Sequence, residues 1–327
     1  MGRSERRSAR LPGAVVVAMA AQSYRPVWWG HVHGVPGVSM APAIRDAATV
    51  MLVRDGAEGM EVFMLRRNLN SDFVGGAYVF PGGAVDPADR EAELEPLCSG
   101  RTDAEASSLL AVPSGGLAYW AAAIRECFEE AGILLAYDRT GTILSLADPD
   151  TAERFETHRE AVYDGTARLV GLCEAEGLTL ATDRIHYLSH WITPVGPPRR
   201  YDTRFFVAQA PPEQVPLEDR RETIASLWVR PADALERQQR GELDIIFPTI
   251  RNLEAIGRFE RSEDLLAAAA AIESVPTILP RVVADGDGMR IVLPGDPLYD
   301  QLGEDAGLPE GTPWPGREGG PRMPGRA

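Results

Sequence analysis

The chain has 327 residues, 44% hydrophobic and 25% charged, a composition that fits a water-soluble globular protein able to bury a substantial core. A net charge of −15 excludes a purely electrostatic nucleic-acid binder, because phosphates are held by clustered Lys and Arg; an anionic ligand would need local arginines or a cation. Cys98, Cys127 and Cys173 are scattered, with neither a CxxC pair nor an even framework, so a reducing compartment, the cytoplasm, is expected. No apolar run approaches the roughly 18 residues of a membrane span, so no membrane association is expected either.

Residues 1–39 mix Arg, Gly, Pro and Trp without periodicity. The apolar stretch from Leu11 to Ala21 follows several arginines in the manner of a signal peptide, but Pro12 and Gly13 interrupt its start. Met40 opens onto a clean strand pattern, so 1–39 is read as an extension, either untranslated or disordered. Residues 47–54 and 60–67 read as a hairpin around Gly56 and Gly59, and 77–80 as a short strand ending at Pro81-Gly82-Gly83. Residues 117–131 place Trp120, Ala123, Ile124, Cys127 and Phe128 on one helical stripe, with Gly132 as terminator. Further on, 133–137, 185–193, 203–209 and 225–230 read as strands, 150–177 and 248–272 as helical, Pro231 as a helix start, and 278–293 as two short strands. The fold class expected is α/β (α+β), a mixed sheet flanked by helices, over residues 40–300, with a disordered Gly- and Pro-rich tail over 301–327.

The chemistry concentrates in Arg125-Glu126-Cys127-Phe128-Glu129-Glu130-Ala131-Gly132-Ile133. On a helix, Glu126, Glu129 and Glu130 share one face, where like charges repel by roughly 0.2–0.5 kcal/mol per pair. A hard divalent cation, Mg2+ or Mn2+, would convert that repulsion into coordination, with Arg125 holding Glu129 four residues on. Arg199, Arg200 and Arg204 are candidate phosphate grips, and Tyr201 or Phe80 could stack on a base, although Phe80 reads better as core. His31 and His33 have metal-compatible chemistry but no third ligand. His186 and His190 read as packed or exposed, and Cys127 as a small core residue.

This segment resembles the second half of the signature of the Nudix hydrolases, and Phe80-Pro81-Gly82-Gly83 resembles its beginning. Where the family next has Glu, this chain has Asp89. Gly83 and Arg125 stand 125 − 83 = 42 positions apart, so the signature is split by an insertion at about residues 88–116, expected as a mobile flap. Such a split resembles the branch of peroxisomal coenzyme A diphosphatases and their bacterial relatives. The resemblance implies an α/β/α sandwich and metal-dependent hydrolysis of the pyrophosphate in a small nucleoside diphosphate conjugate. It assigns Glu126, Glu129 and Glu130 as metal ligands or base, Arg125 as their support, and the Gly82 carbonyl and Glu222 as further ligands. Arg67 matches the first arginine of a coenzyme A motif, and Asp72 stands where the second would be. An ADP-ribose, nucleotide-sugar or dinucleotide pyrophosphatase, or a non-catalytic nucleotide sensor, are the alternatives.

Overall fold

The computed structural model describes residues 43–69, 75–219, 221–285, 288–303 and 306–307. The readings of 1–39, including His31 and His33, of Asp72, and of most of the 301–327 tail lie outside the described residues.

In chain order, β1 (Ile44–Gly56) and β2 (Gly59–Arg67) form the hairpin, followed by β3 (Tyr78–Val79) and β4 (Gly82–Ala84). Next come α1 (Asp103–Leu110), α2 (Leu117–Ala131), β5 (Ala136–Tyr137), α3 (Pro149–Tyr163), α4 (Leu169–Glu176) and β6 (Thr179–Leu180). The strands β7 (Ile185–Ile192), β8 (Arg200–Gln209) and β9 (Thr223–Val229) precede α5 (Pro231–Gln239), α6 (Phe247–Ile256) and α7 (Ser262–Ala270). β10 (Thr277–Ile278), β11 (Arg281–Asp285) and β12 (Gly288–Val292) close the sequence of strands.

β1 is the axis of a mixed eight-stranded sheet. One edge pairs in parallel with β8 from Ile44↔Arg200 to Val53↔Gln209. The other edge is shared: Val53–Gly56 pairs with β2, Ala47–Thr49 pairs with β4, and Val50 N–H donates to Pro81 O at 2.9 Å between them. The hairpin therefore opens beyond its turn, and the 78–84 segment enters the gap. Gly82-Gly83, expected as the stop after a strand, is itself paired in the interior of the sheet. The physical reason is steric: a Cβ on Gly82 would lie 2.5 Å from Ala48 O and 2.6 Å from Thr49 Cα, so only glycine lets the two backbones approach.

Strand alternation sends Val50, Leu52, Phe63, Leu65 and Phe206 to one face, where they pack on Trp120, Ile124 and Phe128 of α2. Met51, Val53, Met64, Phe205 and Val207 point to the other, against Leu253 of α6 and Leu265 of α7. Both faces are covered, so the expected α/β/α sandwich forms, with each fully buried large side chain contributing roughly 1.5–3 kcal/mol. The single helical stretch expected at 150–177 is two helices, broken where Gly165 takes φ 68°. Only residues 136–137 of the 133–137 run are strand.

The insertion, expected as a flap, is packed against the body of the domain. Leu94, Ala106 and Leu110 are buried in the α2-side core, which draws the segment down onto the body. Asp103 of α1 then accepts N–H bonds from Gly115 and Leu117, at 3.0 and 2.9 Å, and so satisfies the start of α2.

Candidate active site

α2 carries Arg125 and the three glutamates in its last two turns, and Gly132 ends it in the left-handed conformation at φ 68°. The C-terminal end of a helix carries its negative partial charge, so carboxylates there are doubly disfavoured unless a cation or donor meets them. Arg125 supplies part of the compensation. Its Nε and Nη2 donate to the two oxygens of Asp89, each at 2.9 Å, and Nη2 also donates to Ala84 O at 2.8 Å. Its Nη1 reaches Glu126 at 2.9 Å and Glu129 at 3.3 Å. One guanidinium thus joins the 84–89 loop to two of the acids. Burial raises Asp89 above its ordinary range more than Arg125 offsets, while the two-pronged contact with the guanidinium favours its ionised form.

Glu130 is 3% exposed, and Gly82 N–H donates to its Oε2 at 2.9 Å. Burial pushes its carboxyl up to about 7, with Arg67 opposing the shift. Burial also raises Glu126, against the pull of Arg125 and with the repulsion of Glu130 and Glu129, and it raises Glu129. Gly83 faces Glu126 so closely that a Cβ would lie 2.5–2.7 Å from its carboxylate. The two halves of the signature therefore meet, although they are 42 residues apart in sequence.

These groups line a cavity of about 420 Å³ whose other walls include Arg67, Asp86, Arg199, Tyr201, Thr203 and Glu222. Arg67 Nη2 lies 3.4 Å from Glu222 Oε2, and its buried Nε has no partner among the described residues. Glu222 is half exposed and reaches the cavity from a loop that is tied down along its length. Gln214 bridges Leu134 and Leu144, and Arg159 donates to both Glu129 O and Leu217 O. Asp219 accepts the N–H groups of Glu222 and Thr223. Sequence reasoning missed Asp86, Arg159 and Gln214, none of which carries a local signal.

Two of the predicted arginines are elsewhere. Alternation along β8 turns Tyr201, Thr203 and Phe205 to the cavity and Arg200, Asp202 and Arg204 away from it. Arg200 is buried and donates to Thr193 O at 3.0 Å. Arg204 is buried, pairs with Asp202 and lies 4.8 Å over the Tyr119 ring. Neither lines the cavity, so of the three arginines expected as phosphate grips the structure brings only Arg199 to the site. His190 is structural, bonded to Asp202 and Thr277 across neighbouring strands. Phe80 and Cys127 are buried in the core, as read from the sequence.

As they stand, no three acidic, His or Cys side chains among the described residues converge as a metal-binding group. Glu126 and Glu129 are turned onto Arg125, and Glu130 onto Gly82 N–H. The donor set nonetheless fits a hard divalent ion: three crowded carboxylates raised by burial, set against the Gly82-Gly83 backbone.

Comparison with known proteins agrees with this geometry. The family model of the NUDT19 Nudix domain matches residues 94–256. The human acyl-coenzyme A diphosphatase NUDT19 is 30% identical over 280 residues, covering 74% of this chain and 73% of the relative. Its chicken counterpart is 30% identical over 305 residues, covering 79% and 80%. A crystal structure of a NUDIX hydrolase from Alicyclobacillus acidocaldarius, 30% identical, covers 73% of this chain and all of that one at a TM-score of 0.59. Likeness that spans most of both partners, with the split signature closed around one cavity, establishes that the chain belongs to the Nudix hydrolases as a diphosphatase resembling the coenzyme A branch.

Proposed function

We propose that the protein hydrolyses the pyrophosphate of coenzyme A or an acyl-coenzyme A, in a reducing compartment such as the cytoplasm, where its three free thiols stay reduced. The observation that carries the chemistry is that Glu126, Glu129, Glu130, Arg67 and Glu222 line one cavity. The relatives' activity supports the substrate class.

Glu126, Glu129 and Glu130, with the Gly82 carbonyl and Glu222, would hold Mg2+ or Mn2+. That ion, when bound, neutralises diphosphate charge and makes its bound water more acidic. Arg67, with one buried unpartnered N–H, and Arg199 bind phosphate oxygens. Arg125 keeps Glu126 and Glu129 in register, itself held by Asp89. One of the three glutamates also accepts the proton of the attacking water, and Glu130, oriented by the Gly82 N–H, is a candidate on geometry. Water oxygen bonds to one phosphorus, the bridging oxygen leaves with the other, and two phosphomonoesters result.

The test is a panel of coenzyme A, acyl-coenzyme A, ADP-ribose, NADH and diadenosine polyphosphates with Mg2+ or Mn2+. The highest kcat/KM is expected on the coenzyme A species, falling by about 10²-fold or more in Glu129→Gln and Glu130→Gln. A preference for ADP-ribose or a dinucleotide would move the assignment to that class. No metal-dependent turnover on any of them would identify a sensor.

A further inference from the structure

The carbonyls at the end of α2 are satisfied from far away in the chain. A helix leaves its last carbonyls without intrahelical donors. Here Glu129 O accepts from Arg159 Nε of α3 at 2.9 Å, and Ala131 O accepts from Leu217 N–H at 3.0 Å. The backbone is thus held on both sides of Glu130. The same guanidinium donates from Nη2 to Leu217 O at 3.1 Å, so one side chain ties the acidic turn of α2 to the segment that leads to Glu222.

α3 grips that segment again one turn later. Tyr163 Oη lies 3.5 Å from Glu222 Oε1, Asp164 pairs with Arg221 at 2.6 Å, and the Arg221 guanidinium stands 4.7 Å over the Tyr163 ring. From the other side, Asn68 N–H donates to Glu222 O at 2.7 Å. Arg159 is 5% exposed, whereas Glu156, its ion-pair partner at 3.4 Å, is 56% exposed. A buried cation with so wet a partner is costly, and a neutral amide can bridge carbonyls as well. Gln214, on the same segment and equally buried, does so between Leu134 O and Leu144 O. What a guanidinium adds is charge at the negative end of the helix dipole, and a planar fork that reaches two segments at once.

We propose that Arg159 is a positioning residue for the metal set: it fixes the separation between Glu129 and Glu130 on α2 and Glu222 on its loop, so that both sides are in place before an ion binds. Its contacts are to backbone carbonyls, not to substrate or ion. The proposal rests on the reading of these glutamates as the ion's holders, and not on which diphosphate is cleaved.

The experiment titrates Mn2+ into the full chain without substrate by calorimetry. It also measures kcat and KM at saturating Mg2+ on whichever substrate of the panel above turns over fastest. Arg159→Met keeps an apolar stem and deletes the fork; it should weaken Mn2+ binding and lower kcat by about tenfold each. KM should stay near the wild-type value, because Arg67 and Arg199 are untouched. Arg159→Lys keeps the charge and reaches one carbonyl at a time, and should recover part of both losses. Phe155→Leu, on the same helix, removes core packing and leaves the bridge; it should lower Tm with Mn2+ affinity unchanged. Hydrogen exchange over residues 211–219 in EDTA should speed up in Arg159→Met and not in Phe155→Leu. A lower Tm in Arg159→Met with wild-type Mn2+ affinity and kcat overturns the proposal and leaves Arg159 a brace of the fold alone. Equal loss of Mn2+ affinity in Arg159→Met and Phe155→Leu also overturns it, since general loosening would then suffice. Absence of Mn2+ binding to the wild type overturns it together with the metal reading. If Arg159→Met does not fold, Arg159→Lys decides by the same measurements: weaker Mn2+ binding supports the proposal, and unchanged binding overturns it.

Discussion

Replacing Asp89 by Ala removes the carboxylate by which the insertion's first turn grips Arg125 of the acidic helix. Two charge-assisted hydrogen bonds, each 2.9 Å, disappear, and each is worth roughly 1.5–3 kcal/mol. Opening a buried ion pair from one side costs about 3–5 kcal/mol in general. The lower end applies here for two reasons. Burial already disfavours the Asp89 carboxylate, so its removal relieves a desolvation cost. Arg125 also keeps Ala84 O, Glu126 and Glu129 as partners. A loss of about 3 kcal/mol lowers Tm by about 6–12 °C for a domain of this size. Scanning calorimetry in EDTA reads it directly, and Asp89→Asn, which keeps one acceptor, should fall between. Function should follow, because the released guanidinium can turn further onto Glu126 and Glu129, and activating Mg2+ should bind more weakly. A Tm within about 2 °C of wild type, with unchanged Mg2+ dependence, would show that Asp89 does not hold Arg125 and that the fork geometry has been misread.

The raised carboxyls carry a pH signature. For Glu130 the folded value of about 7 exceeds the ordinary 4.5, so its protonated form stabilises the fold fully below about 4.5, and that contribution is lost as pH rises through about 7. Glu126 and Glu129 shift in the same direction. In EDTA, Tm should therefore fall between pH 5 and 8, and Glu130→Gln should flatten the slope; a Tm that rises over that range would refute the assignment. Gly83→Ala puts a methyl against the Glu126 carboxylate, and should weaken activation by Mg2+ at least tenfold in a metal titration of turnover. Gln214→Ala removes one accepted and two donated hydrogen bonds at a site 5% exposed. It should cost about 2–4 kcal/mol in urea denaturation, and it should lower kcat by loosening the Glu222 loop.

The sequence by itself determined what is local. The stripe through Trp120, Ile124 and Phe128, with Gly132 behind it, specifies α2 to the residue, because helix period and terminator are properties of neighbouring positions. The acid crowding on that helix and the apolar strands around it are local in the same sense, and they sufficed for the family and the α/β/α class. What lay between distant segments was decided only on folding. Asp89 reads as an acid standing in for a glutamate, and its grip on Arg125 exists only because the insertion packs its leucines on α2. Arg199, Arg200 and Arg204 look alike in sequence, and the register of β8 on β1 sent Arg199 to the cavity and the other two away from it. The opened hairpin placed Gly82-Gly83 opposite Glu126 and Glu130, a contact set by backbone approach across the sheet. Side-chain period is written in consecutive residues; which surfaces meet depends on burial summed over the whole chain, and no short stretch encodes it.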